Sequence, residues 1–445
     1  MREEGHNVTV HIGCKQGGPE LALKKVGDGL IDRVDSWKRF KNEIRDYAAS
    51  GEHGTLVVFE TSGLGEYAEE IRQMHVPFLG SGKFCDRLEN DRDFGIDIAK
   101  RNGMDVPEYQ TFSSLSDTIS HVIKNGLTVA GKKVKKVYFK TNAYIDSDAT
   151  HSCDNAEDLV RYIRHVRSRT PDKRINVLQE GLDGVALSTG RWWDGRNWVG
   201  PYLGTIERKK FMDNETGPAT GCALNAVWFY PSETPQIAKA LNWDALAPTF
   251  RTYEATPGWY DVNCLLKEGK AWFLEWTPRF GWDSEGTCLP LLYENLADWL
   301  AMIATGKQVG GLGLSNKIAY GVRLAVPPYP WEHGKRDASG SAVGVGIWGQ
   351  PTENLYGVKG FIAYQLMKSK FPKEYMVASP EGIVGLAVAT GDKMSELHEK
   401  VLDIAKNIKC SSSLMYRTDG DRAICEDAER AADEGFTDLP KGLMQ

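Results

Sequence analysis

The chain has 445 residues, of which 41% are hydrophobic and 26% are charged, and its formal net charge is −6. This length exceeds a single hydrophobic core and predicts about two to four domains or subdomains. The acidic balance argues against general nucleic-acid binding, which usually requires a basic domain. The apolar runs are far shorter than the roughly 20 residues of a membrane helix. MREEGHNVTV lacks the apolar core of a signal peptide, so we expect no membrane partner.

The eight cysteines are scattered and form no CxxC pair, and the nine histidines contain no HExxH motif. In a chain of this size, that spacing favours reduced thiols over a disulfide framework or a zinc site. We therefore expect a cytoplasmic protein in which the cysteines are packing residues.

The amino-terminal segment alternates strands and helices, which is typical of a parallel sheet. NVTVHI (7–12) and TLVVFE (55–60) predict strands, GEYAEEIRQM (65–74) predicts a helix, and VPFLG (76–80) predicts a short strand. EEGHNVTV resembles a helix end followed by a glycine and a strand. We therefore expect the strand that normally comes first in such a sheet to be missing.

The next segment continues the α/β pattern. Residues 86–102 predict one helix that ends at a glycine, and VKKVYFK (134–140) predicts a strand. Apolar residues in 156–169 follow the i, i+3, i+4, i+7 spacing of a helix. The arginines of this helix favour a solvent-exposed face over a phosphate patch. INVLQE (175–180) predicts an apolar strand that runs into a turn.

The rest of the chain predicts a hairpin and a final strand–helix pair. WYDVNCLL and AWFLEW flank a short turn and form a β-hairpin pattern. EGIVGLAVATG (381–391) predicts a strand, and SELHEKVLDIAKNI (395–408) predicts a helix with one apolar stripe. Residues 327–344 are rich in proline and glycine and predict a loop.

The hairpin places polar side chains at the end of an apparently buried strand. Asp261 and Asn263 point the same way because side chains alternate along a strand, and Glu275 lies on the returning strand. Mg²⁺ usually binds one or two carboxylates together with nucleotide phosphates. Arg279 would then be a fixed cation near those phosphates. The alternative is a salt-bridge cluster, and the hairpin alone does not separate the two.

Three other segments offer groups to an anionic ligand. DNETGPATGC (213–222), preceded by ERKK (207–210), predicts a glycine-rich loop whose backbone N–H groups could form a nest for a carboxylate or phosphate. Lys140 could be a point charge for a phosphate, or simply a solvated strand end. LQEGLDG (178–184) could present backbone groups to an adenine edge. Each pattern also occurs in ordinary loops, so their joint order matters more than any one of them.

That order resembles the ATP-grasp ligases, and among them phosphoribosylamine–glycine ligase. LENDR (88–92) matches the family's LEGSK, with Arg92 in place of lysine, and VPEYQTF (106–112) is similar to its PTAEYxxF stretch. VYFK (137–140) matches the strand that carries the nucleotide-binding lysine. QEGLDGVA (179–186) corresponds to the hinge EEFLDGEE.

The resemblance continues toward the carboxyl terminus. ERKK…ETGPATGCAL corresponds to the family's DHKR…DTGPNTGGMG, and EWTPRFGWDSE corresponds to EFNxRFGDPE. YGVRLAVPPYP and the strand EGIVGLAVATG also match. The similarity thus covers about residues 54–425.

The resemblance implies an α/β protein with the ATP-grasp fold. We expect a truncated parallel-sheet domain that precedes the ATP-grasp core, a first part of the core, a small lid subdomain, a second part of the core and a carboxyl-terminal α+β domain. The corresponding ranges are 1–80, 81–133, 134–180, 181–315 and 316–445.

Members of this family use ATP to phosphorylate a carboxylate, and an amine then attacks the acyl phosphate to form an amide. The resemblance therefore implies ATP, Mg²⁺ or Mn²⁺, and small-molecule carboxylate and amine substrates.

The resemblance also implies roles for matching residues. Arg279 and Lys140 would be catalytic, and Arg279 would stabilise the transition state of phosphoryl transfer. The nucleotide would be bound by Arg92, Lys140, Gln179, Glu180 and Leu182. The metal ligands would be Glu275, Asn263 and Thr277. The substrate would be bound by Glu207, Lys209, Lys210, Thr216, Gly217, Thr220, Asp283 and Glu285.

Several positions depart from the family pattern. TNAYIDSDATHSC (141–153) replaces the glycine-rich loop, and an apolar residue follows the hinge where the family has a ribose-binding carboxylate. Thr277 replaces the metal-binding asparagine, for which Asn263 could compensate across the hairpin. Trp282 interrupts the match to FGDPE. We find no counterpart of the family's GNGGREHAL segment.

These departures favour a divergent ATP-dependent carboxylate–amine ligase with other substrates than the family's. Two alternatives stay open: a non-catalytic homologue that binds a nucleotide or another ligand, and a genuine glycinamide ribonucleotide synthetase of purine biosynthesis. A viral or mobile-element source is a further hypothesis. A homodimer is another, because the missing strand would leave a sheet edge to cover.

Overall fold

The computed structural model describes residues 5–12, 25–50, 54–141, 150–281, 283–292, 296–307, 314–330, 341–355 and 359–445. Its main layers are a small amino-terminal unit, a four-stranded sheet with two helices, and an eight-stranded sheet with a second four-stranded sheet beside it. Within these ranges, no helix combines the length and the apolar character needed to span a membrane.

The amino-terminal unit consists of short strands and two helices. Its elements are β1 (Thr9–Val10), β2 (Asp32–Arg33), α1 (Trp37–Ser50), β3 (Val57–Val58), α2 (Gly65–Gln73) and β4 (Phe78–Leu79). The pairs β1–β2 and β3–β4 are parallel, as predicted, although each strand is only two residues long. Ala68 and Ile71 of α2 pack with Val57 and Phe59 in one core.

Two helices replace the single helix predicted over residues 86–102. They are α3 (Lys83–Asn90) and α4 (Arg92–Arg101). Asp91 separates them, and its side chain accepts a hydrogen bond from the backbone N–H of Phe94 at 3.2 Å. Such a cap satisfies a free N–H group at the start of a helix. The break between the two helices therefore has a local cause, the cap at Asp91. Because α4 begins directly after this cap, Arg92 lies in its first turn.

The next layer is an antiparallel sheet in the order β5-β10-β8-β9, which we call the lid sheet. Its segment contains β5 (Tyr109–Ser114), α5 (Leu115–Asn125), β6 (Thr128–Val129), β7 (Lys132–Lys133), β8 (Val137–Thr141), β9 (Thr150–Cys153), α6 (Ala156–Arg169) and β10 (Lys173–Glu180). Leu159 and Ile163 of α6 are buried, and its arginines are exposed, as predicted. Because β5 belongs to this sheet, the layer begins before residue 134, where we expected the lid to start.

The large sheet begins in the following segment. Its elements are β11 (Val185–Trp193), β12 (Trp198–Met212), β13 (Thr216–Phe229), α7 (Gln236–Ala240), α8 (Leu246–Thr252), β14 (Gly258–Lys267), β15 (Lys270–Thr277), α9 (Ser284–Cys288) and α10 (Leu296–Thr305). The predicted hairpin is present as β14 and β15. The strands β12 and β13 form a long ribbon with its turn at residues 213–215, so Thr216 and Gly217 lie in a strand instead of the predicted loop.

The carboxyl-terminal segment completes both remaining sheets. Its elements are β16 (Ile318–Ala325), β17 (Gly346–Trp348), β18 (Phe361–Ala363), β19 (Leu366–Lys368), β20 (Glu374–Val377), β21 (Ile383–Gly391), α11 (Met394–Asn407), β22 (Lys409–Cys410) and α12 (Gly420–Asp433). The large sheet has the order β15-β14-β11-β12-β13-β16-β21-β18. It therefore continues across the expected domain boundary between residues 315 and 316. The predicted strand and helix over 381–408 are confirmed as β21 and α11. Part of the predicted loop, 331–340, lies outside the described residues.

Candidate nucleotide and metal site

One face of the large sheet carries a row of polar side chains. Asn263 lies opposite Glu275 on β15 and opposite Ser188 on β11, and Ser188 lies opposite Thr205 on β12. Residues opposite one another on paired strands share a face, as do residues two positions apart on one strand. Asp261 therefore belongs to the same face as Asn263. We call this row of polar side chains the floor of the site; it consists of Thr205, Ser188, Asp261, Asn263 and Glu275.

Cations from three elements surround Glu275. The Nζ atom of Lys209 lies 3.5 Å from Oε1 of Glu275 and 3.3 Å from Oε1 of Glu207. The positive charge of Lys209, followed by those of Lys140 and Arg92, outweighs desolvation and lowers the pKa of Glu275 to about 2. Glu275 is therefore ionised at every physiological pH. The structure brings these predicted site residues together from segments far apart in the chain.

Lys140 connects the lid sheet to this cluster. It lies on β8 and is only 9% exposed. Burial, followed by the nearby charge of Arg92, lowers the pKa of Lys140 to about 7, although Glu275 acts in the opposite direction. A buried ammonium group loses hydration, which disfavours its charged form. An anionic ligand beside Lys140 would reverse that effect. Residues 142–149, whose sequence departs from the family's pattern, lie outside the described residues.

A cavity of about 100 Å³ opens beside Glu275 and is bordered by Glu89, Arg92, Thr277 and Arg279. Pockets that enclose small molecules usually measure about 300–1,000 Å³, so this cavity has room for only part of a nucleotide. Nε of Arg279 donates to Oε1 of Glu89 at 2.9 Å. The other carboxylate oxygen of Glu89 is buried and has no hydrogen-bond partner among the residues that the structure describes. Glu89 therefore holds the guanidinium group at the cavity.

The predicted metal ligands provide oxygen donors that suit a hard divalent cation. Nδ2 of Asn263 donates to Oγ1 of Thr277 at 2.9 Å, which leaves the amide oxygen as an acceptor. With the ionised Glu275, these groups fit Mg²⁺ or Mn²⁺. Among the described residues, no cluster of three or more His, Cys, Asp or Glu side chains could hold a metal. A cation here would therefore take further ligands from phosphates or water.

The predicted adenine hinge lies where the lid sheet joins the large sheet. Gln179 is 3% exposed, and its backbone pairs with Tyr109 and Tyr138. The N–H of Glu180 donates to the carbonyl of Glu108 at 2.8 Å, and the next N–H also donates within the protein. An adenine edge would therefore need other backbone groups of the hinge, such as those of Leu182.

Six of the eight residues predicted to bind substrate lie on the β12–β13 ribbon, and they divide into two groups. Glu207 and Lys209 face Glu275. Lys210, Thr216 and Gly217 lie farther along the β12–β13 ribbon toward its turn. Thr220 lies on the returning strand, and its hydroxyl donates to the carbonyl of Lys209 at 2.8 Å. Only the first group is close to the candidate metal ligands.

Asp283 is held in an internal ion pair. Arg323 donates to its two oxygens at 2.8 and 2.6 Å, and the two side chains are 1–2% exposed. Burial raises the pKa of Asp283, while Arg323 opposes this shift. Arg323 also donates to the hydroxyl of Tyr329 at 2.9 Å. While this pair is intact, Asp283 is not available to a substrate. Trp282, the preceding residue, lies outside the described residues.

Three carboxyl groups with raised pKa values lie nearby: the predicted substrate-binding residue Glu285, the hairpin residue Asp261, and Glu60, which the sequence analysis did not single out. Burial, with the negative charge of Glu60, raises the pKa of Glu285 to about 8. Desolvation also raises the pKa of Glu60, against the charge of Arg279. Burial, with the charge of Glu207, raises the pKa of Asp261 to about 7. Glu60 follows the apolar residues of TLVVFE, just as Glu275 follows apolar residues in AWFLEW. The same sequence pattern, an acidic residue after an apolar strand, could therefore have indicated Glu60.

The lid sheet, the large antiparallel sheet and the cation-lined cleft between them define the ATP-grasp fold. The structure of phosphoribosylamine–glycine ligase from Thermotoga maritima aligns with a TM-score of 0.62 at 18% identity, over 84% of this chain and 88% of that one. A biotin carboxylase domain dimer from Hydrogenobacter thermophilus, in complex with MgADP, ADP and bicarbonate, aligns with a TM-score of 0.59 at 11% identity, over 93% and 87%.

In sequence, the chain is similar to phosphoribosylamine–glycine ligases. The Vibrio vulnificus enzyme is 24% identical over 446 positions, which cover 91% of this chain and 99% of that enzyme. The Haemophilus influenzae enzyme is 23% identical over 80% of each chain. No protein-family model matches. The chain thus has the ATP-grasp fold, and its sequence resembles the phosphoribosylamine–glycine ligases at about 24% identity. The near-complete alignment gives no support to the expected absence of an amino-terminal segment.

Proposed function

We propose that this protein is an ATP-dependent carboxylate–amine ligase that forms an amide through an acyl phosphate and releases ADP. The observation that carries this proposal is the cluster of Lys140, Arg92 and Lys209 around the ionised Glu275, where the lid sheet meets the large sheet. Such a cluster suits the phosphates of a nucleotide, since fixed cations stabilise the charge that moves in phosphoryl transfer.

Each element of the cleft has a role in this proposal. Lys140 and Arg92 bind the phosphates, and the hinge 179–182 holds the adenine. Glu275, with Asn263 and Thr277, would hold Mg²⁺ or Mn²⁺, which when bound neutralises phosphate charge.

Arg279 is oriented by Glu89 and stabilises the transferring phosphoryl group, because its guanidinium is a permanent cation. Its position next to the cavity keeps it close to Glu275 without a direct ion pair between the two. The lid sheet would exclude water from the acyl phosphate.

The amine substrate is proposed to bind near Glu60 and Glu285. Burial and the negative charge of Glu60 raise the pKa of Glu285, and a cationic amine beside the two carboxyl groups would favour their ionised forms. Glu207 and Lys209, whose side chains pair with each other beside Glu275, would orient the carboxylate substrate. The particular carboxylate and amine, including glycine and phosphoribosylamine, are candidates for the assay below.

A non-catalytic nucleotide-binding homologue is the second candidate. It is favoured by two ion pairs that engage predicted site residues, Lys209 with Glu275 and Arg279 with Glu89. Such a protein would bind nucleotide with Mg²⁺ and release no ADP with any substrate pair.

Calorimetry with a non-hydrolysable ATP analogue, with and without Mg²⁺, tests nucleotide binding. ADP release is then measured with panels of carboxylates and amines, including glycine with phosphoribosylamine. We expect release only when both substrates are present, and its loss in Glu275→Gln and Arg279→Ala. Far-ultraviolet circular dichroism checks that the variants fold. Binding without ADP release supports the second candidate, and a lack of Mg²⁺-dependent binding contradicts both.

A homodimer and a cytoplasmic location are further proposals. The Hydrogenobacter thermophilus domain was solved as a dimer, and light scattering after gel filtration tests the state of this chain. The cysteines within the described residues are free thiols.

A further inference from the structure

The distal end of β12 contacts two different parts of the molecule. Lys209 reaches Glu275 in the cleft. Its neighbour Arg208 points the other way, where its Nε lies 2.7 Å from Asp427 of α12 and its NH2 group donates to the carbonyl of Ala423 at 3.0 Å. Side chains alternate along a strand. The position of α12 therefore affects where the side chain of Lys209 can lie.

The turn of the β12–β13 ribbon is bound to the segment that leads into α12. Asp213 accepts hydrogen bonds from the N–H of Thr418 at 2.8 Å and from its hydroxyl at 2.5 Å. The N–H of Asn214 donates to the carboxylate of Asp419 at 2.8 Å. These bonds join residues more than 200 positions apart in the chain. They fix the end of the ribbon to the carboxyl-terminal segment.

Arg417 is the centre of this contact. Its side chain is fully buried, and its NH1 group donates to Glu215 at 2.6 Å and to the carbonyl of Lys210 at 2.8 Å. Its Nε and NH2 groups both donate to Asp419 at 2.9 Å. Lys210 directly follows Lys209, so one guanidinium group fixes both the turn and the backbone next to the cleft lysine.

The turn itself needs outside support. Asn214 and Glu215 have φ values of 58° and 54°. Consecutive non-glycine residues in this region of backbone space are unfavourable and persist when surrounding contacts hold them. Arg417 supplies such a contact through Glu215.

We propose that residues 417–427, which we call the carboxyl-terminal latch, position Lys209 in the cleft, with Arg417 as the principal positioning residue. The proposal rests on the proposed function, since it takes Lys209 to contribute to nucleotide or substrate binding. Without the latch, the ribbon end moves, and Lys209 no longer stays beside Glu275 and Glu207. The latch then sets ligand affinity although it does not touch the ligand.

Arg417→Gln tests the latch in the full chain. We expect hydrogen exchange of the ribbon, residues 198–229, to accelerate about tenfold near its turn, and the affinity for the Mg²⁺–ATP analogue to fall about tenfold, because charge-assisted hydrogen bonds are lost. Arg417→Lys keeps one charged donor and should restore part of the affinity. Arg161→Gln, which removes an exposed ion pair of α6, is the matched control and should change neither value.

Unchanged exchange and affinity in a folded Arg417→Gln variant would overturn the proposal. If that variant does not fold, Glu215→Gln decides, since Glu215 is 40% exposed and its change leaves Arg417 bound to Asp419. Hydrogen exchange of the ribbon and affinity for the Mg²⁺–ATP analogue are then measured in Glu215→Gln. Changes in both support the proposal, and unchanged values overturn it. If the unaltered protein does not bind the Mg²⁺–ATP analogue, the proposed function fails, whereas the exchange of the ribbon still supports or overturns the latch.

Discussion

Asn263 lies directly opposite Glu275 in the β14–β15 hairpin, so an amide and a carboxylate share one face at the floor of the cleft. The hairpin closes through Glu268 and Gly269, which both have positive φ. Two-residue turns of this kind match the twist of their strands and fix the register. The register in turn determines which side chains can reach a metal.

Glu275→Gln should remove metal binding at this floor. The amide has no charge to hold a hard cation, and Lys209, Lys140 and Arg92 then repel one. We expect the affinity for Mn²⁺ in the presence of an ATP analogue to fall at least about tenfold, as measured by electron paramagnetic resonance.

Asn263→Asp is the matched control at the same floor. It adds a second carboxylate across the hairpin and should strengthen Mn²⁺ binding. Equal Mn²⁺ affinity of Glu275→Gln and the unaltered protein would show that the metal does not use this carboxylate.

The hairpin could be predicted from the sequence because its information is local. Alternating polarity and a short turn define its strands, and they place Asn263 and Glu275 together. The contact between Lys209 and Glu275 could not be predicted in this way, since it depends on the order β15-β14-β11-β12 in the sheet. Their 66-residue separation leaves no local signal. The family resemblance grouped these residues, but it did not give their contacts.

Two local predictions failed for different reasons. Asp91 interrupts the helix predicted over 86–102, and its capping role was overlooked because the apolar spacing continues through it. Thr216 and Gly217 were predicted in a loop from their glycine and proline neighbours, whereas pairing between β12 and β13 places them in a strand. Tertiary pairing outweighs the weak preferences of single residues. The pair Asp283–Arg323 was missed because only the fold brings its members together.

Lys140→Met should stabilise the protein most at low pH. Burial lowers the pKa of Lys140 to about 7 in the folded state, against about 10.4 in an unfolded chain. Between these values the unfolded state binds more protons, so the unaltered protein gains stability as the pH rises from about 7 to about 10. Below pH 7 Lys140 is charged in the folded and the unfolded state, so the free-energy cost of burying its charge fully destabilises the unaltered protein.

Urea unfolding of both proteins across pH 6–10 measures this difference. The gain in stability from Lys140→Met should shrink as the pH rises. A gain that is independent of pH would contradict the lowered pKa of Lys140.

Nucleotide binding should be accompanied by proton uptake near pH 8. Lys140 is then mostly neutral, and nearby phosphates would favour its charged form and raise its pKa. Calorimetry in two buffers with different ionisation enthalpies gives the number of protons taken up. We expect net uptake at pH 8, a smaller value at pH 6, and no uptake from this source in Lys140→Met. Equal uptake in the variant would assign the proton to another group.

Arg323→Met should destabilise the fold by about 3–5 kcal/mol, because it leaves Asp283 buried without its partner. The double variant Arg323→Met/Asp283→Leu should recover most of this loss, since replacing both members of a buried pair by apolar residues is often neutral. Urea unfolding at pH 7 measures both. A double variant as unstable as the single one would mean that Arg323 acts mainly through Tyr329, to which it also donates. Recovery would instead show that Asp283 serves the fold, so that a substrate in the cleft must be bound by other groups.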